Sequence, residues 1–106
     1  SGIDQNGISQ LKSLKILNCS HNEKIKNVNH LADTLFELNC RSDSGIDQNG
    51  ISQLKSLKIL NCSYNGKISN VNHLADTLFE LNCGGSASGI DQNGISQIIK
   101  NIGMFL

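Results

Sequence analysis

The chain has 106 residues, and its nine basic side chains balance nine acidic ones to a formal net charge of zero. That balance gives no electrostatic case for nucleic acid or for an anionic membrane. Hydrophobic residues at 38% suffice for a core, whereas 4% aromatics and no Trp leave few stacking platforms or aromatic hot spots. No apolar run reaches transmembrane length, and the first residues do not resemble a signal peptide.

In chain order, the first element is SGIDQNGISQ at 1–10, which returns unchanged at 44–53 and 88–97. Residues 1–40 and 44–83 match at 37 of 40 positions, the exceptions being His21/Tyr64, Glu23/Gly66 and Lys26/Ser69. Repetition at this period decides the architecture before any local reading does. Each decapeptide reads as a return arm, with Gly and Asn-Gly supplying tight bends. A short helical turn is expected at Ser9–Ser13 or His30–Leu35.

Next comes LKSLKILNCSHN (11–22), where Leu11, Leu14, Leu17, Cys19 and Asn22 spell L-x-x-L-x-x-L-x-C-x-x-N. LADTLFELNCRSD (31–43) repeats this with one extra residue early, through Leu31, Leu35, Leu38, Cys40 and Asp43. Two further units carry Leu54, Leu57, Leu60, Cys62 and Asn65, then Leu74, Leu78, Leu81, Cys83 and Ser86. Within I-L-N-C-S, Leu17 and Cys19 point one way and Ile16, Asn18 and Ser20 the other, as in a half-buried strand. One such strand cannot bury its Leu side alone. Stacking the units in parallel makes columns of Leu17, Leu38, Leu60 and Leu81 and of Cys19, Cys40, Cys62 and Cys83. The return stretches supply Ile25, Val28, Ile46 and Ile51 as anchors on the opposite side.

At the end of the chain, Ile98, Ile102 and Phe105 align with Leu74, Leu78 and Leu81, and a fifth strand is expected from Met104. Neither end carries a polar cap, so uncapped strand edges favour a homo-oligomer. Near-identical copies and the joint-like GGSA at 84–87 fit an engineered piece; a fragment of a longer array is the alternative.

The unit lengths and the four successive L-x-x-L-x-x-L-x-C patterns resemble the leucine-rich repeat family over the whole chain. The resemblance implies an α/β solenoid: a right-handed coil with a parallel β-sheet on its concave face and short helical or irregular convex segments. The chain would then be a single domain over 1–106, with units at about 11–30, 31–53, 54–73 and 74–97 and partial units at both ends. Two departures stand out. Cys fills a strand position that is usually apolar, and Asp43 and Ser86 replace the Asn whose amide satisfies the turn in that family.

Several constellations have plain structural readings. The four cysteines lie along a line rather than around a point, so they read as buried packing thiols and not as a metal site or disulfides. Free buried thiols without a leader suit a reducing, cytoplasmic compartment, a question that does not arise for an engineered piece. Asn18-Cys19-Ser20 and Asn61-Cys62-Ser63 match a glycosylation sequon only formally, as products of the strand pattern. His30 and His73 are duplicated in register, which suits packing. Asp4-Gln5-Asn6-Gly7 lacks the later acidic ligand of a calcium loop and reads as a turn. With no nucleophile–base arrangement and no phosphate loop, no enzyme activity, cofactor or metal is expected.

What remains is the outward face of the strands: Ile16 and Asn18; Glu37, Asn39 and Arg41; Ile59 and Asn61; Glu80 and Asn82. In the resembled family a curved sheet of this kind commonly binds protein. These residues, with His21 and Tyr64 on the adjoining rim, are the candidate contacts for an unidentified protein partner.

Overall fold

The alternation in each I/E-L-N triplet becomes a strand. The computed structural model describes residues 2–85, 87–98 and 103–105. Its strands are β1 (Ile16–Asn18), β2 (Glu37–Asn39), β3 (Ile59–Asn61), β4 (Glu80–Asn82) and β5 (Gly103–Phe105), in one parallel sheet ordered β1-β2-β3-β4-β5. Register is strict: Leu17, Leu38, Leu60, Leu81 and Met104 are successive partners, and so are Asn18, Asn39, Asn61, Asn82 and Phe105. Backbone pairing runs past the strand ends, with Cys40 N–H donating to Asn61 O at 2.8 Å and Tyr64 N–H to Gly84 O at 3.0 Å.

Each crossover passes through one 3-10 turn, at Asn29–Leu31, Asn49–Ile51, Asn72–Leu74 and Asn93–Ile95. The outcome is a repeat array with a parallel sheet and little helix. Leu38, Leu60 and Leu81 are buried on one face of the sheet beside Cys40, Cys62 and Cys83, and Ile25, Val28, Ile46, Ile51, Ile68 and Val71 close the core from the crossovers. No helix among the described residues is long and apolar enough to cross a membrane.

Four sequence expectations are corrected. The first helical turn is not at Ser9–Ser13 but is α1 (Gln5–Ser9), because the Asp4 carboxylate caps Gly7 N–H at 2.9 Å. The second is shorter than His30–Leu35 and begins one residue earlier. Phe105 does not align with Leu81: Met104 does, because the decapeptide introduces the shorter spacing of β1 and β3. The Asn-turn role in the second unit passes from Asp43, which is exposed, to buried Ser44, whose Oγ accepts from Ile46 N–H at 3.3 Å. Ser86 and Ile102 lie outside the described residues.

The decapeptide is also not one shape used three times. Its first copy forms α1, and the later two form 3-10 turns. The glycine of its Asn-Gly serves close approach rather than a left-handed bend. A Cβ on Gly50 or Gly94 would run into the backbone carbonyl of Lys26 or Ser69 in the coil beside it. At Gly7 the nearest atoms to such a Cβ are side-chain atoms at 3.4 and 3.5 Å.

Polar side chains tie coil to coil on the crossover side. The Gln5 amide accepts from Lys26 and Asn27 N–H and donates to Asn27 O, and Gln48 does the same with Ser69 and Asn70. His30 and His73 place Nε2 at 3.0 Å from the carbonyl oxygens of Ile8 and Ile51.

Candidate functional site

The site is built on the sheet face that the core does not cover. In a strand of three residues, one side chain points into the core and its two neighbours point out. The outward pairs are Ile16 and Asn18 on β1, Glu37 and Asn39 on β2, Ile59 and Asn61 on β3, and Glu80 and Asn82 on β4. Stacking in register makes one row of alternating Ile and Glu and one row of Asn.

Each Asn uses its amide oxygen locally. Oδ1 of Asn18, Asn39, Asn61 and Asn82 accepts the backbone N–H two residues on, at 3.1, 3.3, 3.1 and 3.4 Å. On Asn18 and Asn61 the hydroxyls of Ser20 and Ser63 donate to the same oxygen. That geometry closes each strand end with a side-chain turn and fixes the direction of every amide. The Nδ2 groups then have no hydrogen-bond partner among the described residues. The face carries one unused NH₂ donor on each of β1 to β4, at the ~4.8 Å spacing of neighbouring strands.

Two adjoining depressions share Asn39, Asn61 and Asn82. One, of about 460 Å³, is bounded by Arg41, Tyr64 and Gly85; the other, of about 340 Å³, by Glu37, Ile59 and Glu80. The Arg41 guanidinium carbon lies 5.8 Å from the centre of the Tyr64 ring, within cation–π range. Glu37 and Glu80 sit two strands apart with Ile59 between them. Among the described residues neither makes an ion pair, while Lys55 and Asp33 form one, at 3.2 Å, in which both side chains are largely exposed.

The structure therefore gathers Glu37, Asn39, Arg41, Ile59, Asn61, Tyr64, Glu80 and Asn82 on one surface. Ile16 and Asn18 lie at the β1 edge, and Ile16, 62% exposed, lines a separate depression with Phe36. His21 is exposed on the turn after β1 and lines neither shared depression.

The rim has a backbone signature that the residue pattern hides. His21, Ser42 and Tyr64 each hold φ at 61°, and Gly85 holds 97°, at the same place in four successive turns. Only the fourth turn has the residue this conformation favours. A Cβ at Gly85 would also meet the Tyr64 ring at 2.6 Å. Sequence reasoning missed Gly85, together with the exposed rings of Phe36 and Phe79. Phe36 and Phe79 stand where Lys15 and Lys58 stand in the alternate units, and that alternation was the available signal.

The thiols form a column behind this face. All four cysteines are free and buried. Burial pushes the Cys62 thiol up to about 12, with the neighbouring Cys83 adding to the rise. Burial likewise raises Cys40 well above the usual thiol value, with Cys62 and Cys19 adding to it, and raises Cys19 and Cys83 as well. Thiols held protonated in this way are poor nucleophiles and poor metal ligands. Among the described residues, no group of three His, Cys, Asp or Glu is placed to hold a metal ion.

No protein-family model matches the chain, and no curated protein matches it either. The likeness to leucine-rich repeats rests on the repeated residues and on the sheet they build.

Proposed function

We propose that the chain is a non-enzymatic leucine-rich repeat scaffold, a right-handed solenoid whose concave sheet binds a protein partner. One observation carries this reading: the row of amide donors that the fold orients and leaves unused. The Oδ1 turns account for the direction of the amides, and the NH₂ groups they turn outward are the donors a partner backbone would use. Arg41 against Tyr64 adds a cation and an aromatic ring of the kind enriched at interfaces.

The test compares two faces at constant stability. Ile59→Arg, on the open face, is expected to abolish crosslinking to a bound partner, while Gln53→Arg, on an exposed crossover, is expected to leave it intact. Both variants should melt within a few degrees of the parent. Equal crosslinking by the two variants would overturn the reading.

A second reading, that of an engineered or truncated module whose main property is folding and self-assembly, is favoured by the β1 flank. There Ile3 and Leu11 are 45% and 42% exposed, whereas Ile46 and Leu54, the same residues one copy later, are 0% and 2% exposed. A second copy lying on this flank would cover them. Light scattering decides the matter: concentration-dependent dimers that Leu11→Glu dissolves support it, and a monomer at every concentration removes it.

A further inference from the structure

We infer that the partner recognised by the open face is an extended, basic segment in the polyproline II conformation, with Arg or Lys at every third residue. The inference rests on the protein-binding reading above and names the chemistry of what binds. Three features of the face carry it: the distance between its carboxylates, the unused donors beside them, and its charge arrangement.

Glu37 and Glu80 are two strands apart in register, which sets them ~9.6 Å from each other across the sheet. A polyproline II helix has three residues per turn and rises ~3.1 Å per residue, so side chains i and i+3 share one face at ~9.3 Å. A β-extended segment repeats each face at ~6.6–6.8 Å and falls out of step within one repeat. An α-helix presents similar positions at i and i+7, ~10.5 Å apart. The amide row separates the α-helix from polyproline II. Helix carbonyls are already bonded within the helix, whereas a polyproline II backbone has no internal hydrogen bonds and keeps every carbonyl free to accept. Asn39, Asn61 and Asn82 hold three NH₂ donors beside the carboxylate row for those carbonyls.

Charge fixes the sign and the placement of the segment. Both carboxylates lack an ion-pair partner among the described residues, and the one cation of this surface, Arg41, is held at Tyr64 on the far side of the Asn row. A basic segment therefore settles on the Glu side, with Ile59 beneath the methylene stems of its two contacting side chains. An acidic segment has no such seat, because its carboxylates would face Glu37 and Glu80.

The test uses the full chain and three fluorescent peptides, read by anisotropy at low salt. One carries four Arg-Pro-Pro triplets, one carries four Arg-Pro pairs, and one carries four Glu-Pro-Pro triplets. The first is expected to bind about tenfold more tightly than the second, a difference of ~1.4 kcal/mol. The third is expected not to bind. The double variant E37Q/E80Q should erase the preference without moving the melting temperature. Equal affinity for the two Arg peptides, no binding of the first, or an unchanged preference in the double variant would overturn the inference. The side-chain amide resonances of Asn39, Asn61 and Asn82 separate the two levels of the argument. If one of those three results is obtained and they still shift with any of the peptides, the face binds protein and only the partner chemistry falls. If they shift with none, the sheet-face reading falls as well.

Discussion

Residues 1–17 and 44–60 are letter for letter the same segment, yet they do not have the same structure. In the first copy the decapeptide forms α1, Leu11 and Ile3 are open, Leu14 and Leu17 are half-buried, and a Cβ on Gly7 would find ordinary contacts. In the second copy the turn is 3-10, Ile46, Leu54, Leu57 and Leu60 are buried, and Gly50 lies against the Lys26 backbone. The second copy packs against the coil that carries Glu23 to Asn27, whose backbone Gly45 and Gly50 approach closely. Burial, helix type and the glycine requirement are thus properties of the contact between neighbouring coils, as expected of a stack whose units interact only with their neighbours.

The sharpest way to break this comparison is to remove the same side chain from each copy. Leu60→Ala opens a cavity in a covered column and should cost ~2–5 kcal/mol in urea unfolding. Leu17→Ala removes a half-buried side chain at the sheet edge and should cost less than about half as much, since the edge can collapse onto water. Equal losses would mean that the flank beside β1 is covered in solution.

The glycines test the same point with opposite signs. Gly50→Ala forces a methyl group against the Lys26 carbonyl and should destabilise by ~1–3 kcal/mol. Gly7→Ala sits inside α1 with room for the methyl group and should stabilise by ~0.4–1 kcal/mol. Thermal melts of the two variants should move in opposite directions. A shift of the same sign would show that the two copies share one environment.

Much of this was legible in the residues, and the failures have more than one cause. The L-x-C alternation gave the strands, their parallel register and the buried columns, because period-two patterning and burial act on the same side chains. The Asn row and its Ile/Glu neighbour were legible for the same reason. The α1 boundary, the transfer of a turn role from Asp43 to Ser44, and the purpose of Gly50 were not. The purpose of Gly50 depends on the Lys26 carbonyl of the adjacent coil, which no local pattern records; the other two rest on local bonds, Asp4 to Gly7 N–H and Ser44 to Ile46 N–H, that the repeat pattern does not single out. The left-handed residues were hidden for another reason: Ser42 and Tyr64 do not advertise a positive φ, and of the three only His21 is of a type enriched there.

Alkali distinguishes inner from outer coils through the thiol column. A thiol raised by burial stays protonated in the folded chain while the same thiol ionises in the unfolded chain above its ordinary value of 9.0. The folded state then holds more protons, so stability is complete below pH 9 and falls as pH rises toward the folded value, about 12 for Cys62. Within that window Cys62 removes ~1.4 kcal/mol per pH unit. Urea midpoints measured from pH 8 to 11 should therefore decline, and Cys62→Ala should flatten the decline more than Cys83→Ala. An identical slope in both variants would place the two thiols in equivalent surroundings.

The smallest effect concerns the rim, where four turns share one backbone conformation and three of them carry a side chain on it. Ser42 is the cleanest position, because its hydroxyl makes no hydrogen bond among the described residues and its N–H bonds to Ser63 O at 2.9 Å whatever the side chain. A left-handed φ costs a non-glycine residue ~1–2 kcal/mol, and glycine returns part of that gain as extra freedom in the unfolded chain. Ser42→Gly should accordingly stabilise by ~0.5–1 kcal/mol, a rise of roughly 4–8 °C per kcal/mol in a domain of this size. Tyr64→Gly relieves the same backbone but loses the ring that faces Arg41 and Gly85, so it should gain less or lose outright. If Ser42→Gly lowers the melting temperature instead, the turns are not held in this conformation in solution, and the rim would have to be redrawn from the β-strand ends outward.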